Sequence, residues 1–375
     1  MNPKESDHFM SKSTATNDQP IPKKIDNLNY GKTNFIEKNY STIIDIDKAI
    51  IISDVHLGYE KSNVTAFLDF LTTNIANGTS KDRSIFILGD LWDFWRKHDT
   101  IYSKESDEVL SLINQFKDVY YLPGNHDHIT LDAAQNYPDF NCYNIGKYFR
   151  IKSDDKSFFL VHGHELEVIS KLTYLKLSEY DKISDQLCRM NDTEGNIASY
   201  LHEMFHRIFR QGQPQITDFL QPAEQRKGMD AIDKFAKSKA RYPLLGMHLN
   251  DILIFGHTHR PYNDIQNNVV NTGAWIADML VPKWFEEEYG QDKACFGWYI
   301  ELNHGEYKLL PYGIHQKTKA EWENSESNQQ ENESEKGEEK ENIVSKAAFQ
   351  VGEVVKQMVE VGSDAVKQDS STRSR

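Results

Sequence analysis

The chain has 375 residues, with 43 Lys or Arg against 57 Asp or Glu, so its formal net charge is −14. Such an acidic chain lacks the basic surface of a non-specific nucleic-acid binder. No uncharged apolar run approaches the roughly 20 residues that span a bilayer, and the polar first residues lack the apolar core of a secretory signal. The three cysteines are far apart, which excludes a disulfide framework and a Cys-based zinc module. We therefore expect a cytoplasmic protein.

Composition divides the chain into four segments. Residues 1–40 are polar and rich in Asn, Lys and Ser, which predicts a disordered N-terminal segment. Residues 41–318 carry the apolar runs of a folded domain, and residues 319–342 are a Glu-rich, disordered linker. Residues 343–375 hold an amphipathic helix and a tail. We expect that helix to make weak contact with a partner protein or with a membrane surface, peripherally.

Within the folded domain, buried strands and helices alternate. In chain order, KAIIISDVH is a strand, SNVTAFLDFLTTNIANG a helix, SIFILGD a strand, SKESDEVLSLINQFKD a helix capped by Ser103, and VYYLPGNHD a strand. This alternation predicts an α/β fold with parallel strands. Two short strands follow near 147–152 and 157–161, and residues 166–247 are almost wholly helical. DILIFGHTH, NNVVNTGAW, CFGWYIELN and EYKLLPY then return to strands.

Five short polar motifs each follow an apolar run: SDVHLG, LGDLWD, GNHD, LVHGH and GHTH. The first four are about 36 residues apart, close to the length of one βα unit. This spacing puts each motif at the carboxyl end of a strand, where α/β sheets bind ligands. The motifs supply seven candidate metal ligands, namely Asp54, His56, Asp90, Asn125, His162, His257 and His259.

These residue types indicate a site for two divalent metal ions. Asp, His and Asn suit Mn²⁺, Fe²⁺ or Zn²⁺, and we expect Mn²⁺ first. Seven ligands are too many for one tetrahedral site and about right for two ions that share a bridging ligand. Two such ions can clamp a phosphoryl group and lower the pKa of a bridging water, so that hydroxide forms at neutral pH.

The order of the motifs, D-x-H, G-D, G-N-H-D, H and G-H-x-H, resembles the calcineurin-like metallophosphoesterases over residues 45–312. The resemblance implies a four-layer αββα sandwich. It implies that the first metal binds Asp54, His56, Asp90 and His259. It implies that the second binds Asp90, Asn125, His162 and His257, with Asp90 bridging. His126 would bind phosphate or act as a general acid, and Asp127 would orient its imidazole. Asp93 is either a partner of a metal-binding histidine or the carboxylate of a helix N-terminus.

GDLWDFW, the helical insertion, GHTHRP and VNTGAW are similar to the UDP-2,3-diacylglucosamine hydrolases of lipid A synthesis. These enzymes cleave a pyrophosphate and use the insertion as a lid. The resemblance implies that residues 166–247 form a helical lid and that the substrate is a phosphorylated, nucleotide-linked lipid or sugar. Arg207 and Arg210 in HEMFHRIFR, and Arg260 after GHTH, are candidates to bind its phosphates. A solvated basic helix face is the alternative for the first two.

Two other functions fit the same motifs. His126 stands where the lipid A enzymes carry Arg, and it is usual in general phosphoesterases and repair nucleases. SDVHLGY and GNHD are also similar to the exonuclease subunit of double-strand-break repair, although the acidic charge makes nucleic acid an unexpected partner. The second alternative is a non-catalytic scaffold that recruits partners through its tail. The presence of all seven candidate ligands and His126 argues against the scaffold.

Overall fold

The computed structural model of the chain describes residues 43–97, 99–130, 143–172, 176–189, 222–277, 279, 281–319 and 321, with the backbone alone for 222–229. The strands of these ranges are β1 (Ile43–Asp45), β2 (Lys48–Ile52), β3 (Ser84–Leu88), β4 (Val119–Leu122), β5 (Tyr143–Ile145), β6 (Phe149–Ser153), β7 (Lys156–Leu160), β8 (Asp251–Phe255), β9 (Tyr262–Asp264), β10 (Val269–Asn271), β11 (Lys293–Ala294), β12 (Gly297–Asn303), β13 (Glu306–Tyr312) and β14 (His315–Gln316). The α-helices are α1 (Val64–Ala76), α2 (Lys104–Ile113), α3 (His164–Ser170), α4 (Leu177–Cys188), α5 (Pro222–Lys237), α6 (Arg241–Leu245) and α7 (Lys283–Tyr289).

Most of the strands form two six-stranded sheets. One sheet has the order β13-β12-β2-β3-β4-β5, and β2 to β5 run parallel as the alternation of elements predicts. The other has the order β1-β6-β7-β8-β10-β9, in which β7, β8 and β10 are parallel. β11 and β14 form a separate antiparallel pair.

The two sheets face each other across one apolar core. Phe86 of β3 stacks on Tyr120 of β4 with ring centroids 4.4 Å apart, and Phe149 of β6, in the opposite sheet, packs edge-on against both rings. Every residue of β3 is buried because helices cover the outer face of its sheet as well. The continuous apolar runs of the sequence reflect this two-sided burial.

Helices cover both outer faces, so the predicted four-layer αββα sandwich is confirmed. On one side, Phe70 of α1 packs against Tyr299 of β12 and Tyr312 of β13, with ring centroids 4.9 and 5.1 Å away. α2 lies beside α1, and Ser103 caps it as predicted by accepting a hydrogen bond from the Ser106 amide at 3.1 Å. On the other side, α3 and α5 cover the sheet that contains β7 and β8.

The predicted helices of residues 166–247 are present in the described parts of that range, as α3 to α6. Both ends of this insertion belong to the sandwich itself. Leu166 of α3 and Ile232 and Ala236 of α5 are 0% exposed, and they share one apolar cluster with Leu253 and Phe255 of β8. A domain boundary at residue 166 therefore runs through an outer layer of the fold.

Several predicted segments lie outside the described residues. They are the N-terminal segment 1–40, most of the acidic linker 319–342, the C-terminal helix and tail 343–375, and the helix with Arg207 and Arg210. Within the described ranges, none of the helices combines the length and the apolar character that a membrane crossing requires.

We predict that Leu166→Ala destabilises the whole domain by about 2–5 kcal/mol, because it leaves a cavity in a closed apolar cluster. Leu244→Ala in α6 is the matched control, since Leu244 is 57% exposed and loses little packing. Urea denaturation followed by circular dichroism measures both variants. Equal, small effects for the two variants would mean that α3 is separable from the core.

Candidate metal centre

The five motifs converge because each begins where a strand of the inner sheets ends. The loops after β2, β3 and β4 carry Asp54, Asp90 and Asn125, and these three strands are neighbours in one sheet. The loops after β7 and β8 carry His162 and His257, and these strands are neighbours in the opposite sheet. The site therefore lies where the carboxyl edges of two facing sheets meet.

The motif loops have an unusual backbone. Asp54, His56, Asp90, His257 and His259 all have positive φ angles, between 53° and 65°. This left-handed region is uncommon for residues other than glycine, and residues held in sparsely populated conformations cost about 1–3 kcal/mol each. Five of the seven candidate ligands share it, so these left-handed residues are concentrated at the site.

Two glycines of the motifs make room for carboxylates. A Cβ on Gly124 would lie 2.1 Å from Asp90 Oδ1, and a Cβ on Gly256 would lie 2.2 Å from Asp54 Oδ2. Any side chain at either position would push the carboxylate away. The glycines of GNHD and GHTH are therefore required by the close approach of neighbouring loops to the two aspartates.

The first group of candidate ligands consists of Asp54, His56 and His259, all buried. His259 Nε2 lies 3.2 Å from Asp54 Oδ1 and 3.2 Å from His56 Nε2. His56 Nε2 is also 3.8 Å from Asp54 Oδ1. Two imidazole nitrogens and one carboxylate oxygen thus point at a common volume, as ligands of one cation do.

The second group centres on His162. Its Nε2 atom lies 3.4 Å from Asp90 Oδ2, 3.1 Å from Asn125 Oδ1 and 3.3 Å from His257 Nδ1. Asp90 Oδ2 also lies 3.7 Å from His56 Nε2, so this carboxylate oxygen faces the first group as well. The structure therefore brings all seven candidate ligands together, and Asp90 stands between the two groups.

The surroundings of Asp54 Oδ1 and Asp90 Oδ2 show whether divalent ions fit this site. Both oxygens are buried, and no described residue donates a hydrogen bond to either of them. Burying a carboxylate without compensation is costly, and proteins rarely keep such a group unless it is paired or binds a metal. The orphaned oxygens face imidazole nitrogens, and this combination of donors fits divalent cations.

The ionisation of the apoprotein agrees with that reading. Burial opposes the charged form of His56, but the neighbouring carboxylates of Asp54 and Asp93 raise its pKa to about 9. Burial also opposes the charged form of His162, but the charge of Asp90 raises its pKa to about 10. The carboxylates thus attract protons when no cation is bound, and a bound cation would take the place of those protons.

His126 lies beside the two groups. Its amide donates a hydrogen bond to Asp90 Oδ1 at 2.9 Å, its imidazole is buried, and Trp95 stacks on the ring with centroids 4.1 Å apart. Asp93 Oδ1 lies 2.9 Å from His126 Nδ1, and Asp93 Oδ2 lies 3.2 Å from His56 Nδ1. Asp93 is therefore the partner of a candidate metal-binding histidine, and it holds the His126 ring too.

The expectation that Asp127 orients His126 is corrected by the structure. The Asp127 carboxylate accepts hydrogen bonds from the backbone amides of Gly124 and Leu91, both at 2.7 Å, and from the Tyr121 hydroxyl. The tight turn of GNHD directs this side chain back beneath the loop. Asp127 holds the loop in shape, and the position beside the His126 ring belongs to Asp93.

Arg260, a candidate to bind the substrate phosphates, forms ion pairs with the helix α5. Arg260 Nη1 lies 2.7 Å from Asp230 and 3.6 Å from Asp233, both in α5. The Arg260 side chain is 19% exposed, whereas that of Asp230 is 68% exposed. Arg260 fastens α5 to the GHTH loop, and its charge is already matched by carboxylates. The other two candidate arginines, Arg207 and Arg210, lie outside the described residues.

Sequence reasoning missed Glu167 of α3. Its Oε2 atom lies 2.9 Å from His257 Nε2, and its other oxygen accepts a hydrogen bond from Lys171. The only sequence signal is that Glu167 follows His162 by one helical turn and a short loop. Periodicity does not distinguish it from Glu165, whose carboxylate caps the Gly163 amide.

Comparison with known proteins identifies relatives for most of this domain. The model of the calcineurin-like phosphoesterase family matches residues 48–261. UDP-2,3-diacylglucosamine hydrolase of Hamiltonella defensa is 28% identical over 226 residues, which cover 56% of this chain and 77% of that protein. The enzyme of Vibrio atlanticus is 22% identical over 64% of this chain and 96% of that protein. That of Haemophilus influenzae is 32% identical, but the match spans only 48% of its length.

We predict that Asp90→Asn removes most metal binding, because one of its oxygens faces both groups of ligands. Asp99→Asn is the control, since Asp99 is exposed and its side chain caps no helix. Elemental analysis of both purified variants gives the metal content per chain. Two ions at full occupancy in Asp90→Asn would contradict the bridging role.

Proposed function

The chain belongs to the calcineurin-like phosphoesterase family and is a metal-dependent phosphoester hydrolase, and we propose that it cleaves a phosphoester or pyrophosphate bond at a centre of two divalent ions. The observation that supports two ions is the position of Asp90. Its Oδ2 atom lies within 3.4 Å of His162 Nε2 and 3.7 Å of His56 Nε2, between two groups of ligands. When bound, two such ions supply the Lewis acidity that polarises a phosphoryl group and acidifies a water molecule.

His126 is our candidate for the residue that assists the leaving group. Asp93 accepts the Nδ1 proton of His126, so Nε2 is the nitrogen left to meet a phosphate or leaving-group oxygen. In the protonated imidazole, Nε2 is then the position that donates a proton to a leaving oxygen. Trp95 covers one face of the ring and restricts its rotation.

The substrate that we favour is a nucleotide-linked lipid or sugar. The supporting relatives are named as UDP-2,3-diacylglucosamine hydrolases. A cavity of about 650 Å³ adjoins the site, and it is large enough for a substrate of that size. His164 lines it, and its ring lies 5.4 Å from that of His162. The rest of the lining combines polar with apolar side chains, including His128, Glu165, Phe159, Leu177 and Leu244.

We predict that His126→Ala slows turnover by about 10²- to 10⁴-fold, the usual worth of general acid–base assistance. The loss should shrink on a substrate that releases p-nitrophenolate, which leaves without a proton. Metal content should stay the same, and His248→Ala, at an exposed histidine, should match the unmodified protein. Steady-state kinetics on substrates with good and poor leaving groups distinguish the two roles of His126. Equal losses of turnover on both substrates would indicate a binding role.

We predict that the Mn²⁺-loaded protein releases a nucleoside monophosphate from UDP-linked sugars or lipids and leaves single-stranded DNA intact. The experiment compares both substrates with bis-p-nitrophenyl phosphate, a small diester that any active two-metal site should hydrolyse. Hydrolysis of DNA without cleavage of the UDP compounds would favour a nuclease. No hydrolysis of any of the three would favour a scaffold.

A further inference from the structure

A buried chain of charged groups ends on His257. Glu167 Oε2 lies 2.9 Å from His257 Nε2, and Glu167 Oε1 accepts a hydrogen bond from Lys171 Nζ, also at 2.9 Å. The side chains of Lys171 and Glu167 are only 2% and 6% exposed. Charged groups are rarely placed so far from water unless they are paired and hydrogen-bonded, and here the two charges satisfy each other.

The helix that carries Glu167 is held tightly against the His257 loop. Lys171 is the residue that follows α3, and it lies one helical turn after Glu167. Leu166 anchors the helix in the apolar cluster that contains Phe255, two residues before His257. α3 follows Gly163, where φ is 128° and a Cβ would lie 2.7 Å from His257 Cβ. The close packing of the helix and the loop therefore keeps the backbone of Glu167 next to His257.

The contact decides which nitrogen of His257 carries the proton. A carboxylate only accepts hydrogen bonds, so Nε2 must donate its proton to Glu167. A neutral imidazole has one protonated nitrogen, and Nδ1 then keeps its lone pair. Nδ1 is the nitrogen that faces the second group of ligands, 3.3 Å from His162 Nε2.

We propose that Glu167 is a positioning residue for the metal centre, which fixes the orientation and the tautomer of His257, and that Lys171 keeps the Glu167 carboxylate in place. This inference rests on the proposed two-ion function. Carboxylates behind metal-binding histidines also increase the basicity of the ligand, and their removal typically lowers metal affinity by about 10- to 100-fold.

The first test uses the apoprotein and needs no metal. Correlation of imidazole ¹⁵N and ¹H signals reports the tautomer of each histidine. We expect His257 to be protonated at Nε2 in the unmodified protein and to lose this preference in Glu167→Gln, whose amide can donate as well as accept. An unchanged tautomer in Glu167→Gln would overturn the proposal.

The second test titrates Mn²⁺ into the apoprotein by calorimetry. We expect Glu167→Gln to weaken one of two binding events by about 10- to 100-fold and to leave the other close to its original affinity. Glu108→Gln is the control for metal affinity, because Glu108 is exposed on α2 and its replacement removes the same negative charge. Equal affinities for Glu167→Gln and Glu108→Gln would overturn the proposal.

A double variant separates positioning from folding. Glu167→Gln leaves the buried Lys171 ammonium without its carboxylate, which can destabilise the chain. In Glu167→Gln/Lys171→Met this charge is gone, and we expect a folded protein by circular dichroism with the same loss of affinity for one ion. A folded double variant with both affinities intact would refute the role of Glu167. An unmodified protein that binds only one ion would instead refute the two-ion function.

Discussion

The rest of the site depends on two buried carboxylate oxygens to which no described residue donates a hydrogen bond. Asp54 Oδ1 and Asp90 Oδ2 are costly to desolvate, and no described neighbour satisfies them. The surrounding loops are arranged to keep them in place: glycines at 124 and 256 make room for them, and five ligand residues adopt left-handed backbone angles. A divalent cation offsets this desolvation cost more fully than a proton does, because it binds several oxygens and nitrogens at once.

The general architecture was predictable from the sequence because it depends on burial. Strands covered on both faces must be continuously apolar, and the spacing of the motifs follows the length of a βα unit. These two regularities predict the parallel strands, and they also predict that Asp54, Asp90, Asn125 and His162 lie at one edge of the fold. Both features depend only on the path of the backbone, which the apolar runs and the motif spacing indicate.

The contacts behind the ligands were less predictable, because they depend on where a loop turns. Asp127 follows His126 directly, yet the turn of GNHD sends its carboxylate back to the Gly124 and Leu91 amides. Asp93 is 33 residues away from His126 in sequence and holds its ring. Arg260 follows the candidate ligand His259 but pairs with Asp230 of α5. Glu167 contacts His257, although its helix was expected to form part of a lid. Neighbours in sequence were poor guides to neighbours in space wherever the backbone reverses.

The ends of the helical insertion have a consequence for how this domain can change. α3 and α5 pack into the same apolar cluster, so the chain leaves the sandwich and rejoins it at neighbouring points on one outer layer. Closing a loop between two such fixed points becomes only slightly harder as the loop grows, by about 0.6 kcal/mol for each doubling of its length. Insertions and deletions between α4 and α5 therefore change the stability of the sheets only slightly. Selection can vary the length of this segment while the seven candidate ligands stay where they are.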